Sequence, residues 1–162
     1  MSKSRLSTQL VAYNQSYKEN DEIYHNYAKA FGMTDTTFWL LYSLWESKTP
    51  YTQKELCKEW SYISQTLNSA LKNLEKQGFI YMACTKENRK NKEIRFTDKG
   101  KEFAKNVIEP LMQAEAQSLS CMSREEMEQF LSCMRRLNVS LKKEVNRLIL
   151  NRSEKEVYDE EK

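Results

Sequence analysis

Between Ile63 and Lys76 the chain carries Ser64, Gln65, Thr66, Asn68, Ser69, Lys72 and Asn73 interleaved with Leu67, Ala70, Leu71 and Leu74. Read as a helix, the four apolar residues recur at steps of three, one and three and share one face, which leaves the polar ones on the other. The chemistry of that polar face is that of a base reader. Asn and Gln amides set a donor beside an acceptor and match the major-groove edge of adenine. Ser donates or accepts, and Lys reaches guanine or phosphate. A helix that is merely solvated more often carries long Glu/Lys pairs there. Ser64, Gln65, Thr66, Asn68, Ser69 and Lys72 are therefore the candidate DNA-reading residues.

A second cluster follows. Lys86, Arg89, Lys90 and Lys92 fall within seven residues, between two β-compatible runs, Phe79–Cys84 and Ile94–Thr97. Two short strands joined by such a tip make a projecting cationic hairpin. Arg89, Lys90 and Lys92 are its candidates for the minor groove or the flanking phosphates. Upstream, Thr52 and Glu55 form a capping-box pattern that opens a short helix with Leu56, Cys57 and Trp60 on its apolar side. Thr52 and Gln53, at that helix start, are candidate phosphate contacts.

The elements that must hold these groups read helix, helix, helix, helix, strand, strand, helix, helix. The first helix is expected from about Leu6 to Phe31, with Leu10, Tyr13, Tyr17, Tyr24, Tyr27 and Phe31 on one face, and Gly32 stops it. Thr34 or Asp35 caps the second, which carries Phe38, Leu41, Tyr42 and Trp45. Gly78 ends the reading helix. Thr97 or Asp98 opens a helix that passes Pro110, where a backbone donor is lost and a kink is expected. Ser123 with Glu126 starts the last helix. Along it Met127, Leu131, Met134, Leu137, Leu141, Val145 and Leu148 recur at four- and three-residue steps, a seam of about three heptads. The charged stretch after Asn151 is expected to fray.

Two motifs resemble the MarR family of bacterial transcriptional regulators. Leu74-Glu75-Lys76-Gln77-Gly78-Phe79-Ile80 is similar to the family's exit from the recognition helix into the first wing strand. Asn88-Arg89-Lys90-Asn91-Lys92-Glu93-Ile94-Arg95-Phe96-Thr97, with Asp98-Lys99-Gly100, is similar to its wing signature. Asn88 stands where the family has an acid, Lys90 where it has the arginine that enters the minor groove, and Phe96 where it has leucine. The resemblance implies a mainly α fold with a small two-stranded β wing: a winged helix-turn-helix lobe plus a helical dimerisation region. It implies residues 1–32 as the N-terminal dimerisation helix, 33–100 as the DNA-binding lobe, 101–151 as the C-terminal dimerisation helices and 152–162 as a charged tail. It also implies a homodimeric repressor on a pseudo-palindromic operator, released by a small aromatic or phenolic effector.

Bulk properties fit this reading. The 162 residues are 40% hydrophobic and 30% charged, with 3 Gly and 2 Pro, which favours long helices. The net charge is only +3, but from Thr52 to Lys101 eleven Lys/Arg face six Asp/Glu, while Ser153–Lys162 has two against five. The middle of the chain is the part suited to a polyanion. No apolar run approaches the roughly 20 residues a membrane span needs, and no secretory signal is present, so a cytoplasmic, membrane-free protein is expected. Cys57, Cys84, Cys121 and Cys133 form no CxxC and read as reduced, structural thiols, with Cys57 and Cys84 at apolar positions. His25 is the single histidine. Chemistry needing several histidines is excluded. No nucleophile–base pair, phosphate loop or metal cluster marks a catalytic, cofactor or metal site, and an enzyme is not expected.

The seam from Met127 to Leu148 also calls for a partner helix by itself, because such a stripe is unfavourable in water. The alternative is packing against the first helix of the same chain. Twelve of the eighteen aromatic residues precede Ile63. Of these, Tyr13, Tyr17, Trp39 and Tyr42 are candidates for an effector pocket, although aromatic stripes at helical spacing are more often core. The competing functional reading is a winged-helix protein-interaction adaptor that no longer reads specific DNA.

Overall fold

A computed structural model of the chain describes residues 3–60, 62–84 and 92–160, with side chains from residue 8 to residue 152 within those ranges. The elements are α1 (Lys3–Ala30), α2 (Asp35–Glu46), α3 (Gln53–Glu59), α4 (Ser64–Lys76), β1 (Ile80–Ala83), β2 (Glu93–Phe96), α5 (Asp98–Leu119) and α6 (Arg124–Glu160). The fold is mainly α with a small two-stranded antiparallel sheet. The chain divides into two compact units, Met1–Met112 and Gln113–Lys162.

In the first unit two apolar clusters share α2. Leu40 and Leu44 pack with Leu56 of α3, with Leu67, Ala70, Leu71 and Leu74 of α4, and with Ile80 and Ile94 of the sheet. Phe38 and Leu41 pack with Ala28 of α1 and with Ala104, Val107, Ile108 and Leu111 of α5. Each such side chain contributes on the order of 1.5–3 kcal/mol when fully buried, so the first cluster fixes which face of α4 points outward. The Tyr27 hydroxyl donates to the Val107 carbonyl at 2.8 Å and joins α1 to α5; burial pushes its pKa above 10.0.

The sheet pairs Ile80 with Phe96, Tyr81 with Arg95, Met82 with Ile94 and Ala83 with Glu93. Period-two alternation turns Ile80 and Ile94 inward and leaves Tyr81 and Arg95 exposed. A further bridge joins Thr52 to Glu93, and the Ile94 amide donates to the Tyr51 carbonyl at 2.7 Å. The entrance of α3 is thereby tied to the wing base.

In the second unit α6 opens on Ser123. Its amide donates to the Glu126 carboxylate at 2.8 Å, and its hydroxyl accepts from the Glu126 amide at 3.2 Å. Leu131, Leu137, Leu141, Val145 and Leu148 along the seam are all exposed, while Met127 and Met134 are half-buried.

Several expectations shift. α6 runs to Glu160, past Asn151 where the helix was expected to give way to a tail; the added stretch has no Gly or Pro to stop it and is rich in Glu and Lys. As expected, α5 passes Pro110, and it runs on to Leu119. β1 omits Phe79 and Cys84, and β2 starts at Glu93 and ends before Thr97. Phe79 still belongs to the turn that closes α4, and Thr97 caps α5. Cys84 lies just past the last strand pair and is exposed, not apolar-packed; Cys121 and Cys133 are exposed too. On α1, Tyr24 and Tyr27 join the core, but Leu10 and Tyr17 are exposed.

Candidate nucleic-acid interface

Helix α4 is held from one side only. Leu67, Ala70, Leu71 and Leu74 are buried, while Ser64, Gln65, Thr66, Asn68, Ser69, Lys72 and Asn73 are exposed. The Ser69 hydroxyl donates back to the Gln65 carbonyl at 3.2 Å, and Gln77 Nε2 donates to Asn73 Oδ1 at 3.1 Å. The amide groups of Gln65 and Asn68 stand on the open face.

The start of α4 is open as well. Its N-cap is Ile63, which makes no side-chain cap hydrogen bond, and no acid stands in its first turn. Among the described residues no side chain caps its first amides, and a helix start of this kind presents the positive end of its dipole, suited to a phosphate. Ile63 is itself 73% exposed. Sequence reasoning treated Ile63 as the first helical residue and missed this. The signal available was an apolar residue where Ser, Thr, Asp or Asn would ordinarily cap.

Beside that end lies an open groove of about 550 Å³ lined by Thr52, Gln53, Lys54, Cys57, Ser64, Met82 and Lys92. It brings together the start of α3, the start of α4 and the wing base. Among the described residues no acid lines it, and Lys54 and Lys92 supply two cations. Lys54 was not singled out from the sequence, because lysines on a short helix that also carries Glu55 and Glu59 show no pattern. Gln53 Nε2 donates to the Ser64 carbonyl at 3.4 Å. Thr52 is more constrained: its amide and hydroxyl both donate to Glu55 Oε2, at 2.7 and 2.8 Å, and its oxygen accepts from the Glu55 amide. These bonds, the backbone one first, hold the Glu55 carboxyl below its ordinary 4.5. Thr52 thus shapes the groove with its donors already engaged. Of the wing candidates, Lys92 is exposed on this groove; Arg89 and Lys90 lie outside the described residues.

The aromatic candidates separate. Trp39 and Tyr42 are half-buried, their rings 5.6 Å apart within a cluster that includes Phe38 and Tyr24. Tyr13 is half-buried and Tyr17 is 62% exposed on α1. Among the described residues no group of three or more His, Cys, Asp or Glu side chains could hold a metal, and no helix is long and apolar enough to cross a membrane.

Comparison with known proteins places this geometry. No family model matches the chain. A MarR family regulator from Neisseria meningitidis shares the fold with a TM-score of 0.73 at 19% identity, over 86% of this chain and 97% of that one. The HTH-type transcriptional regulator SarZ of Staphylococcus epidermidis is 30% identical over 112 residues, which cover 68% of this chain and 74% of SarZ. The chain belongs to the MarR family. It is a DNA-binding transcriptional regulator of the winged-helix type. Its small sheet follows the helix pair α3 and α4. Overoxidised AbfR, solved bound to DNA, is 29% identical with a TM-score of 0.57, over 83% of this chain and 94% of that one.

Proposed function

We propose that this MarR protein works as a homodimer that represses transcription from a pseudo-palindromic operator and lets go when a small aromatic or phenolic effector binds. In this reading residues 1–32 and 101–151 form the dimerisation region and 33–100 the DNA-binding lobe. Ser64, Gln65, Thr66, Asn68, Ser69 and Lys72 read one major groove per subunit. Arg89, Lys90 and Lys92 of the wing grip the minor groove or its phosphates, and Thr52 and Gln53 line the phosphate path. One observation carries the proposal: from Ser64 to Asn73 the exposed face of α4 is polar with Lys72 its one charged residue, and its acid-free start, without a side-chain cap from Ile63, opens beside a cationic groove.

The dimer rests on α6, whose seam leaves five large apolar side chains in water. Covering them recovers about 25 cal/mol per Å², and a two-fold axis sets two reading helices about 34 Å apart, one DNA turn. The effector reading rests on the half-buried Trp39–Tyr42 pair, with Tyr13 and Tyr17 as further contacts. Titrating promoter duplexes from the same genome at two salt concentrations tests the proposal. A regulator prefers one duplex over random DNA and binds it with a steep salt dependence. An interaction adaptor shows no such preference.

A further inference from the structure

The far end of the reading helix is gripped by the start of α5. Gly78, at φ +72°, closes α4, and the Phe79 amide returns to the Leu74 carbonyl at 3.0 Å, the long bond of a Schellman turn. Four residues about twenty positions later then make side-chain or steric contacts with this exit. The Thr97 hydroxyl donates to the Gly78 carbonyl at 2.6 Å and accepts from the Gly100 amide at 3.0 Å. Gly100 lies flat against the Phe79 backbone. Phe103 stacks on Phe79 with centroids 4.3 Å apart and planes 6° from parallel. Lys99 reaches back over the Phe79 ring, its Nζ 4.9 Å from the centroid, and donates to the Gln77 carbonyl at 2.8 Å.

Thr97, Gly100 and Phe103 are built into the fold. Lys99 is different, because it is exposed and the core does not need it. Its ammonium satisfies a carbonyl at the C-terminal end of α4, where a cation is favoured by the helix dipole. The residue it holds, Gln77, donates in turn to Asn73 on the outward face. A line of contacts therefore runs from α5 through Lys99 and Gln77 to the polar face of α4. We propose that Lys99 is a positioning residue for base reading: it fixes the direction of α4 from behind, without touching DNA. This rests on the assignment of the α4 face as the reading surface. Over a helix of 13 residues, about 20 Å long at 1.5 Å per residue, a few degrees of play at the held end moves Gln65 by about 1 Å, enough to spoil a bidentate contact while leaving phosphate contacts intact.

The test uses the full-length protein, Lys99→Met, which keeps an apolar stem over Phe79, and Lys99→Arg, which restores the cation and donor. Each protein selects duplexes from a randomised pool, is titrated against one unselected duplex across salt, and is followed by amide hydrogen exchange without DNA. The expected result for Lys99→Met is an approximately fivefold loss of preference for selected over unselected duplex, with affinity for unselected duplex and its salt slope unchanged. Exchange at Gly78 and Phe79 rises, and Lys99→Arg reverses each change. Equal losses on both duplexes with a flatter salt slope make Lys99 a phosphate contact and overturn the proposal. Unchanged preference with faster exchange reduces Lys99 to a stabilising contact and does the same. A wild-type protein that selects no sequence removes the reading surface itself, a failure seen before any variant is compared.

Discussion

A β-carbon on Gly100 would lie 1.8 Å from the carbonyl oxygen of Phe79. No rotamer change relieves that contact, because a β-carbon is fixed by its own backbone and the atom it meets is backbone. Gly100→Ala is therefore expected to separate α5 from the exit of α4 and to cost about 3 kcal/mol or more, at or beyond the upper end of overpacking. Urea unfolding of variant and wild type measures it. A loss under about 1 kcal/mol means the two backbones are not in this contact.

Glu55 makes the acid side of the stability curve partly its own. Its folded carboxyl titrates below the ordinary 4.5 because the amide and then the hydroxyl of Thr52 favour the charged form. The stabilisation is thus present above about pH 4.5 and is lost as pH falls through the depressed value. Glu55→Gln removes that dependence. Its melting temperature should lie below wild type at pH 7, and the gap should close toward pH 3. A gap that stays constant across this range contradicts the charged capping box. Glu55 is exposed, so the effect is small and weakened by salt.

Lys92 lies on the groove between the starts of α3 and α4. Lys92→Ala should weaken binding to selected and unselected duplexes alike and reduce the logarithmic salt slope by about 0.9, one phosphate contact. Loss confined to one sequence points instead to a base contact.

Leu141 is 51% exposed on the α6 seam. Leu141→Lys should shift the protein toward monomer in sedimentation at micromolar concentration, with its far-ultraviolet helical signal kept. An unchanged mass would place the dimer contact elsewhere.

Much of this architecture is written locally in the chain. The steps among Leu67, Ala70, Leu71 and Leu74, with Gly78 after them, give both the period and the end of α4, because a helix must hide one stripe and a left-handed residue must stop it. The Thr52 and Ser123 capping boxes are equally readable. Some of what was not readable depends on a distant partner, and some on local detail. The Lys99 contact with Gln77 spans 22 residues and involves a side chain that any solvated helix could carry. The engaged donors of Thr52 follow from its capping role, yet they bear on whether it also meets phosphate. The exposure of Cys84 turns on where the strand ladder ends, one residue before it. The reach of α6 to Glu160 depended on reading a charged stretch as a helix former, not as a tail.

The most direct test is a base-preference profile of wild type and Asn68→Ala, measured by titrating the selected duplex and each of its single-base-pair variants. Asn68 is exposed midway along α4, so the expected result is a loss of roughly 1–3 kcal/mol on the selected duplex and a flattened preference at one base pair in each half-site. A profile identical to wild type at every position would mean that this helix face does not read DNA.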